Sequence, residues 1–156
     1  METVNIREIT SNNINKLVSL DGIVTKITDI KPKLTMGIFE CNHCGKIYEI
    51  KQDDKTKERI EPGICSCEKR SYTLLTDQST FIDFQEMELQ EPHQLLIKRE
   101  KAKRITVYLE KEFTNKVVLG DKIQLIGVVR VQLQKYGRSV HTNIHKYIIS
   151  NVEKIK

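Results

Sequence analysis

Four cysteines in two short clusters are the residues of this sequence with the clearest chemistry. Cys41 and Cys44 are separated by two residues, Cys65 and Cys67 by one, and the chain has no other cysteine. Two facing knuckles of this kind supply four thiolates, the usual ligand set of a closed tetrahedral zinc site. The spacing therefore predicts one structural zinc ion held by Cys41, Cys44, Cys65 and Cys67, with no open position for hydrolytic chemistry.

Two other arrangements are open for these thiols, namely two disulfides or four unrelated buried cysteines. Their clustering argues against unrelated thiols. The N-terminal residues 1–4 have neither the basic nor the apolar segment of a secretory signal, which argues against an oxidising compartment. The C-x-C cluster is shorter than the commoner C-x-x-C, so we expect a tighter turn there. His43 could substitute as a ligand, but four cysteines already complete the set.

The composition indicates one domain with a small outgrowth and a basic surface. The 156 residues carry 26 Lys and Arg against 21 Asp and Glu, a formal net charge of +5. An excess of this size is compatible with a polyanionic partner. No apolar run approaches the roughly 20 residues of a membrane-spanning helix. We therefore expect a cytoplasmic location, nucleoid-associated in a prokaryote or nuclear in a eukaryote.

Strand patterns on both sides of the cysteines predict the elements that position them. Apolar and polar residues alternate over Leu17–Ile30, in which Gly22 marks a bulge or sharp bend, and again over Phe81–Leu89. A turn is expected at residues 31–33 because of Pro32. These patterns predict an all-β protein, an OB-fold five-stranded barrel formed by residues 1–40 and 77–156 with a zinc ribbon inserted at 41–76. A different small β-barrel fits the pattern almost as well.

A long hairpin near the C-terminus is the first candidate for nucleic-acid contact. One strand rises from Lys122 to Leu133, residues 134–138 form a turn that contains Gly137, and a second strand returns from Ser139 to Ser150. Basic residues at its tip would neutralise phosphates, and Tyr136 is a possible stacking platform for a base. A second basic run, residues 98–104, is more often a solvated loop in proteins.

Several motifs together resemble the N-terminal region of the minichromosome maintenance (MCM) replicative helicase family. They are residues 17–24 (Leu-Val-Ser-Leu-Asp-Gly-Ile-Val), Lys31-Pro32-Lys33-Leu34, residues 39–44, Phe81-Ile82-Asp83-Phe84-Gln85, Leu89-Gln90-Glu91-Pro92, Gly120-Asp121, Gly127 and the hairpin ending in Gly137-Arg138-Ser139. They occur in the order that this family has, and they extend from about residue 6 to the end of the chain.

The resemblance implies an OB-fold carrying a zinc ribbon, DNA as the partner, and assembly into a homo-hexamer or double hexamer. The leading DNA contacts are then Lys135 and Arg138 at the hairpin tip, with Tyr136 beside them, and Arg104, Lys26, Lys31 and Lys33 on the barrel. In this family the ribbon serves assembly. The sequence has no G-x-x-x-x-G-K-[ST] motif, so we expect this chain not to be an enzyme, whereas the parent of a fragment would be an ATP-dependent DNA helicase. The alternative is a free-standing OB and zinc-ribbon module that binds RNA or a protein partner.

Overall fold

The structure is a computed structural model that describes residues 2–52, 59–92, 102–136 and 139–156, except for the side chains of Glu2 and of residues 133–146. Within these ranges the chain forms nine strands: β1 (Glu2–Thr3), β2 (Leu17–Ile27), β3 (Lys31–Cys41), β4 (Ile47–Lys51), β5 (Tyr72–Leu74), β6 (Thr80–Gln90), β7 (Arg104–Glu110), β8 (Lys122–Tyr136) and β9 (Ser139–Ile155). Short 3-10 turns lie at Ile6–Glu8, Ser11–Asn13 and Lys111–Phe113. The described part of the chain has no helix long and apolar enough to span a membrane.

The chain divides into two compact units, Met1–Lys31 with Asp83–Lys156, and Pro32–Ile82. The second unit begins before and ends after the insert predicted at residues 41–76, because the strands that frame the cysteines fold with them. The placement of that insert between two strands of a barrel stays a prediction.

Five strands close the first unit into a barrel. Strand β2 pairs antiparallel with β8, and β8 pairs antiparallel with β9. Strand β9 pairs parallel with β7, and β7 pairs antiparallel with β6. The barrel closes where β6 pairs antiparallel with β2. This order, with one parallel pair, is that of an OB-fold, and the all-β OB prediction is confirmed. Its interior is filled by aliphatic side chains such as Leu20, Val107 and Leu125, which are fully buried.

Gly22 is required where β2 passes from one neighbour to the other. It pairs with Ile123 of β8, and the next residue, Ile23, pairs with both β8 and β6. A β-carbon at Gly22 would lie 2.4 Å from Cγ of Leu89, so a side chain there would force Leu89 or the backbone to shift. The bulge expected at Gly22 is instead a register shift between Val24 and Lys26.

The hairpin of β8 and β9 extends past the barrel. Strand β8 pairs with β2 from Lys122 to Val128, and beyond Val129 its ladder is with β9 alone among the described residues. The register shifts between Leu133 and Gln134. The hairpin prediction is therefore confirmed, although β8 continues to Tyr136 and β9 to Ile155, beyond the predicted ends.

The second unit is a small antiparallel sheet that carries the cysteines. Strand β3 pairs with β4 on one side and with β5 on the other, so that Phe39 faces both Tyr48 and Leu74 in the ladders. The turn predicted at residues 31–33 is wrong, because β3 already begins at Lys31 and the connection is formed by residues 28–30. Pro32 is tolerated there because it stands at the start of a strand.

Candidate metal centre and nucleic-acid surface

The four cysteine sulfurs converge on one point in the second unit. Their Sγ atoms all lie within 4.8 Å of one another, with 3.7 Å between Cys41 and Cys67 and 3.4 Å between Cys44 and Cys65. A zinc ion with Zn–S bonds of about 2.3 Å requires sulfurs about 3.8 Å apart at the corners of a tetrahedron. A disulfide would need about 2.05 Å, so the arrangement fits a four-coordinate metal better than two disulfides.

Each knuckle is closed by a residue in the left-handed backbone region. In the first, Gly45 has φ +77° and its amide donates to the Cys41 carbonyl at 3.0 Å. In the second, Glu68 has φ +68° and its amide donates to the Cys65 carbonyl at 2.8 Å. Glycine adopts this conformation without steric cost, whereas glutamate does not. The tighter C-x-C turn is therefore made with a strained residue where the first knuckle uses glycine.

Backbone amides point at the sulfurs and shift their pKa values in a pairwise pattern. The amide of Cys67, the Tyr48 hydroxyl and neighbouring thiols lower the pKa of Cys65 to about 5. The amides of Cys44 and His43 lower the pKa of Cys41. The Lys46 amide alone would lower the pKa of Cys44. The Cys65 sulfur and burial outweigh that amide and raise the pKa of Cys44 to about 12.

The fourth thiol completes the pattern. The Lys69 amide favours the Cys67 thiolate, but burial and the sulfurs of Cys65 and Cys41 raise its pKa. Each close pair of sulfurs therefore combines one thiol whose pKa is lowered with one whose pKa is raised. A divalent cation at the centre would favour the thiolate form of all four, because a coordinated thiol is deprotonated outright.

Hydrogen bonds join the first knuckle to the segment that follows the second knuckle and enters β5. The Asn42 amide donates to the Ser71 carbonyl at 2.9 Å, and the Asn42 side chain donates to Ser71 Oγ at 2.9 Å. Thr73 Oγ1 in turn donates to Asn42 Oδ1 at 2.6 Å. His43, beside these residues, is exposed and is not part of the sulfur cluster. Among the described residues, the four cysteines predicted from their spacing therefore come together as a candidate metal-ligand group.

Two of the basic residues predicted to contact DNA flank one carboxylate on the outside of the barrel. Lys26 is exposed and faces Glu88 in the β2–β6 ladder. Arg104 Nη1 lies 3.2 Å from Oε1 of Glu88, and Arg104 Nε donates to Gln90 Oε1 at 3.2 Å. A phosphate would have to compete with Glu88 for Arg104, so this arginine is the weaker of the two candidates.

The remaining candidates are two lysines of β3 and three residues at the hairpin tip. Lys31 is exposed at the start of β3, and Lys33, two residues on, is partly exposed in the second unit. Lys135 and Tyr136 belong to the end of β8, but their side chains lie outside the described residues, as does the whole of Arg138. Nothing in the structure tests their contact with DNA.

A buried ion pair at one end of the barrel was missed in the sequence. Glu91, 1% exposed, accepts hydrogen bonds from the Arg7 amide at 2.9 Å, from Nε at 3.0 Å and from Nη2 at 2.6 Å. It lies in the Leu89-Gln90-Glu91-Pro92 motif, directly before residues 93–101, which are outside the described range. Because Arg7 and Glu91 are 84 positions apart, no local pattern links them. The pair joins the N-terminal segment to the end of β6.

Comparisons with known proteins agree with this fold. Residues 5–133 match the family model of the MCM OB domain. The chain is 32% identical over 130 residues to the DNA replication licensing factor MCM7 of Oryza sativa subsp. indica, covering 79% of this chain and 18% of that protein. It is 25% identical over 134 residues to the minichromosome maintenance protein MCM of Saccharolobus solfataricus, covering 83% of this chain and 20% of that protein.

A solved structure is similar over nearly the whole chain. The crystal structure of the N-terminal domain of an archaeal MCM is 28% identical and superposes with a TM-score of 0.71, covering 97% of this chain and 61% of that one. The chain thus spans about a fifth of the length of the curated relatives reported above.

Proposed function

This chain belongs to the minichromosome maintenance family, whose OB domain it contains, and we propose that it acts as the DNA-binding N-terminal collar of an MCM-type replicative helicase. The 156 residues contain no P-loop motif. Any ATP-driven strand separation would therefore depend on a motor outside these residues. The collar would act on chromosomal DNA, in the nucleoid or the nucleus according to the organism.

The β8–β9 hairpin is the observation that carries the DNA-binding proposal. It extends beyond the strands that close the barrel. Residues 130–148 contain four Lys or Arg residues, Arg130, Lys135, Arg138 and Lys146, and no Asp or Glu. A projecting ribbon with cations and no acids attracts phosphates irrespective of base sequence, because neutralising them releases condensed counterions. We assign the main contacts to Lys135 and Arg138, with Tyr136 stacking on a base and Lys26, Lys31, Lys33 and Arg104 as secondary contacts.

Removal of two hairpin cations tests this assignment. The Lys135→Ala/Arg138→Ala variant should bind a fluorescent single-stranded oligonucleotide at least about tenfold more weakly, on the order of 1.4 kcal/mol. The plot of log affinity against log salt should also become shallower by about 0.7 for each phosphate that the variant no longer neutralises. Lys116→Ala/Lys122→Ala is the matched control, since it removes the same charge from exposed positions elsewhere on the barrel unit. Equal binding by the two variants in low salt would reject the hairpin as the DNA-binding element.

We also propose that Cys41, Cys44, Cys65 and Cys67 hold one structural zinc ion per chain. The bound ion would cross-link the two knuckles and thereby stabilise a unit too small to bury an adequate core. Native mass spectrometry should show one zinc ion per chain, removed by treatment with a strong chelator. Removal of the metal should reduce the near-ultraviolet circular dichroism of Tyr48 and Tyr72, whose rings pack edge to face at 5.7 Å. A metal-free chain with an unchanged spectrum would exclude zinc as a structural element.

Assembly into a hexamer or double hexamer is the remaining part of the proposal, with the zinc ribbon serving subunit contacts. It is supported by membership of the family, and the same mass spectra report the number of subunits. Competition between single-stranded DNA and RNA of the same sequence separates this function from an RNA-binding module. A monomer that prefers RNA would replace the collar proposal with that alternative.

A further inference from the structure

One side chain outside the ligand set reaches the proposed metal centre. The Tyr48 hydroxyl donates a hydrogen bond to Sγ of Cys65 at 3.2 Å, and Cys65 is 3% exposed. The other side-chain contacts described for the four sulfurs come from the cysteines themselves and from Ser66, whose Oγ lies 4.0 Å from Cys65. Cys65 is therefore the sulfur with a close hydroxyl donor.

Packing fixes the position of this hydroxyl. Tyr48 lies on β4 opposite Phe39 of β3, and Tyr72 lies on β5 opposite Cys41. The two tyrosine rings meet edge to face with an interplanar angle of 87°. Nζ of Lys46 also lies 5.2 Å from the Tyr48 ring centre. The ring thus has two packing partners, so little conformational entropy is lost when its hydroxyl contacts the sulfur.

We propose that Tyr48 is a positioning residue that retains zinc in this site and protects the Cys65 sulfur from electrophiles. This inference rests on the zinc site proposed above. Four thiolates around one Zn²⁺ carry a net charge of −2, so a donor aimed at one of them stabilises the bound state. A hydrogen bond to a charged acceptor is about twice as strong as a neutral one. The same bond withdraws electron density from the sulfur lone pair and makes that sulfur a poorer nucleophile.

Tyr48→Phe removes the hydroxyl and leaves the ring to pack against Tyr72 and Lys46. Competition against a chelating dye should show zinc affinity reduced by about tenfold, the lower end of the effect of removing a hydrogen-bond partner of a metal ligand. Tyr72→Phe is the matched control, because its hydroxyl donates to the Gly63 carbonyl rather than to a sulfur. We expect its zinc affinity to stay within about twofold of the unsubstituted chain.

Reactivity of the sulfur supplies a second readout that packing alone would not change. With iodoacetamide, the sulfur forms a bond to carbon, iodide leaves, and the modified ligand releases zinc. Release should be faster in Tyr48→Phe than in Tyr72→Phe. The cobalt-substituted variant should keep tetrahedral d–d bands while its sulfur-to-metal charge-transfer band shifts.

The outcomes separate the two proposals. If the unsubstituted chain fails to hold one zinc ion, the metal site itself is wrong. If that chain holds zinc and Tyr48→Phe matches it in affinity and release rate, the role of Tyr48 is refuted while the site stands. Equal weakening by Tyr48→Phe and Tyr72→Phe would also overturn the inference, because it would assign the effect to the loss of any tyrosine hydroxyl bond in this unit rather than to the bond with Cys65.

Discussion

Removing Arg7 should destabilise the barrel far more than removing a surface arginine. In Arg7→Ala the Glu91 carboxylate, which is 1% exposed in the unsubstituted chain, loses the guanidinium and keeps the hydrogen bond from the backbone amide of residue 7. Deleting one partner of a buried ion pair costs about 3–5 kcal/mol, because the other charge is left uncompensated. The Arg7 side chain is 27% exposed, so water can partly replace it. We therefore expect a loss of about 3 kcal/mol, at the lower end of that range.

Urea unfolding followed by far-ultraviolet circular dichroism measures this loss, since the chain has no tryptophan. In a chain of this length a change of about 3 kcal/mol lowers the melting temperature by about 10 °C. Arg104→Ala is the control within the same unit. Its ion pair with Glu88 has an arginine that is 53% exposed, so the variant should lose no more than about 1 kcal/mol.

A double substitution distinguishes the effect of pairing from that of packing. Arg7→Met/Glu91→Leu replaces the pair by apolar side chains of similar length and should recover most of the stability, because buried pairs are often no more stabilising than hydrophobic substitutes. A loss below about 1 kcal/mol for Arg7→Ala would refute the reasoning, as would a double variant no more stable than Arg7→Ala.

Two further predictions concern the backbone. Gly22→Ala should lower the free energy of unfolding in urea by about 1–3 kcal/mol, because its β-carbon would lie 2.4 Å from Leu89. Gly63→Ala is the control and should be near neutral, since nothing lies within 4 Å of its β-carbon. Equal effects of the two variants would show that the barrel wall relaxes around Gly22→Ala. Glu68→Gly should stabilise the zinc-loaded chain by about 1 kcal/mol, because glycine adopts the left-handed conformation without strain. Gly45→Ala should lower the stability by a similar amount, because Gly45 has φ +77° and only the backbone conformation, not a clash, opposes a side chain there. Thermal melts with saturating zinc test this pair, and a destabilised Glu68→Gly would mean that the glutamate side chain contributes more than its strain costs.

Features that repeat along the chain could be predicted because they follow from local chemistry. Strand alternation indicated β2, β6 and the β8–β9 hairpin, since side chains on successive strand residues face opposite sides. The turn expected at Pro32 was wrong for a related reason. Proline forbids the middle of a ladder but is compatible with its first residues, and local sequence does not distinguish a turn from a strand start.

The spacing of the four cysteines predicted them as one candidate ligand set, because two cysteines two or three positions apart on a tight turn share a small volume. The fold then brings the two pairs together, with all four Sγ atoms within 4.8 Å of one another. Closure of the barrel through β2 and β6, the ion pair of Arg7 with Glu91, and the Tyr48 hydroxyl beside Cys65 were decided only by the tertiary structure. Each of these joins residues 17 or more positions apart. Such contacts depend on which strands become neighbours, and that choice is made by burial of the whole core rather than by any segment within it.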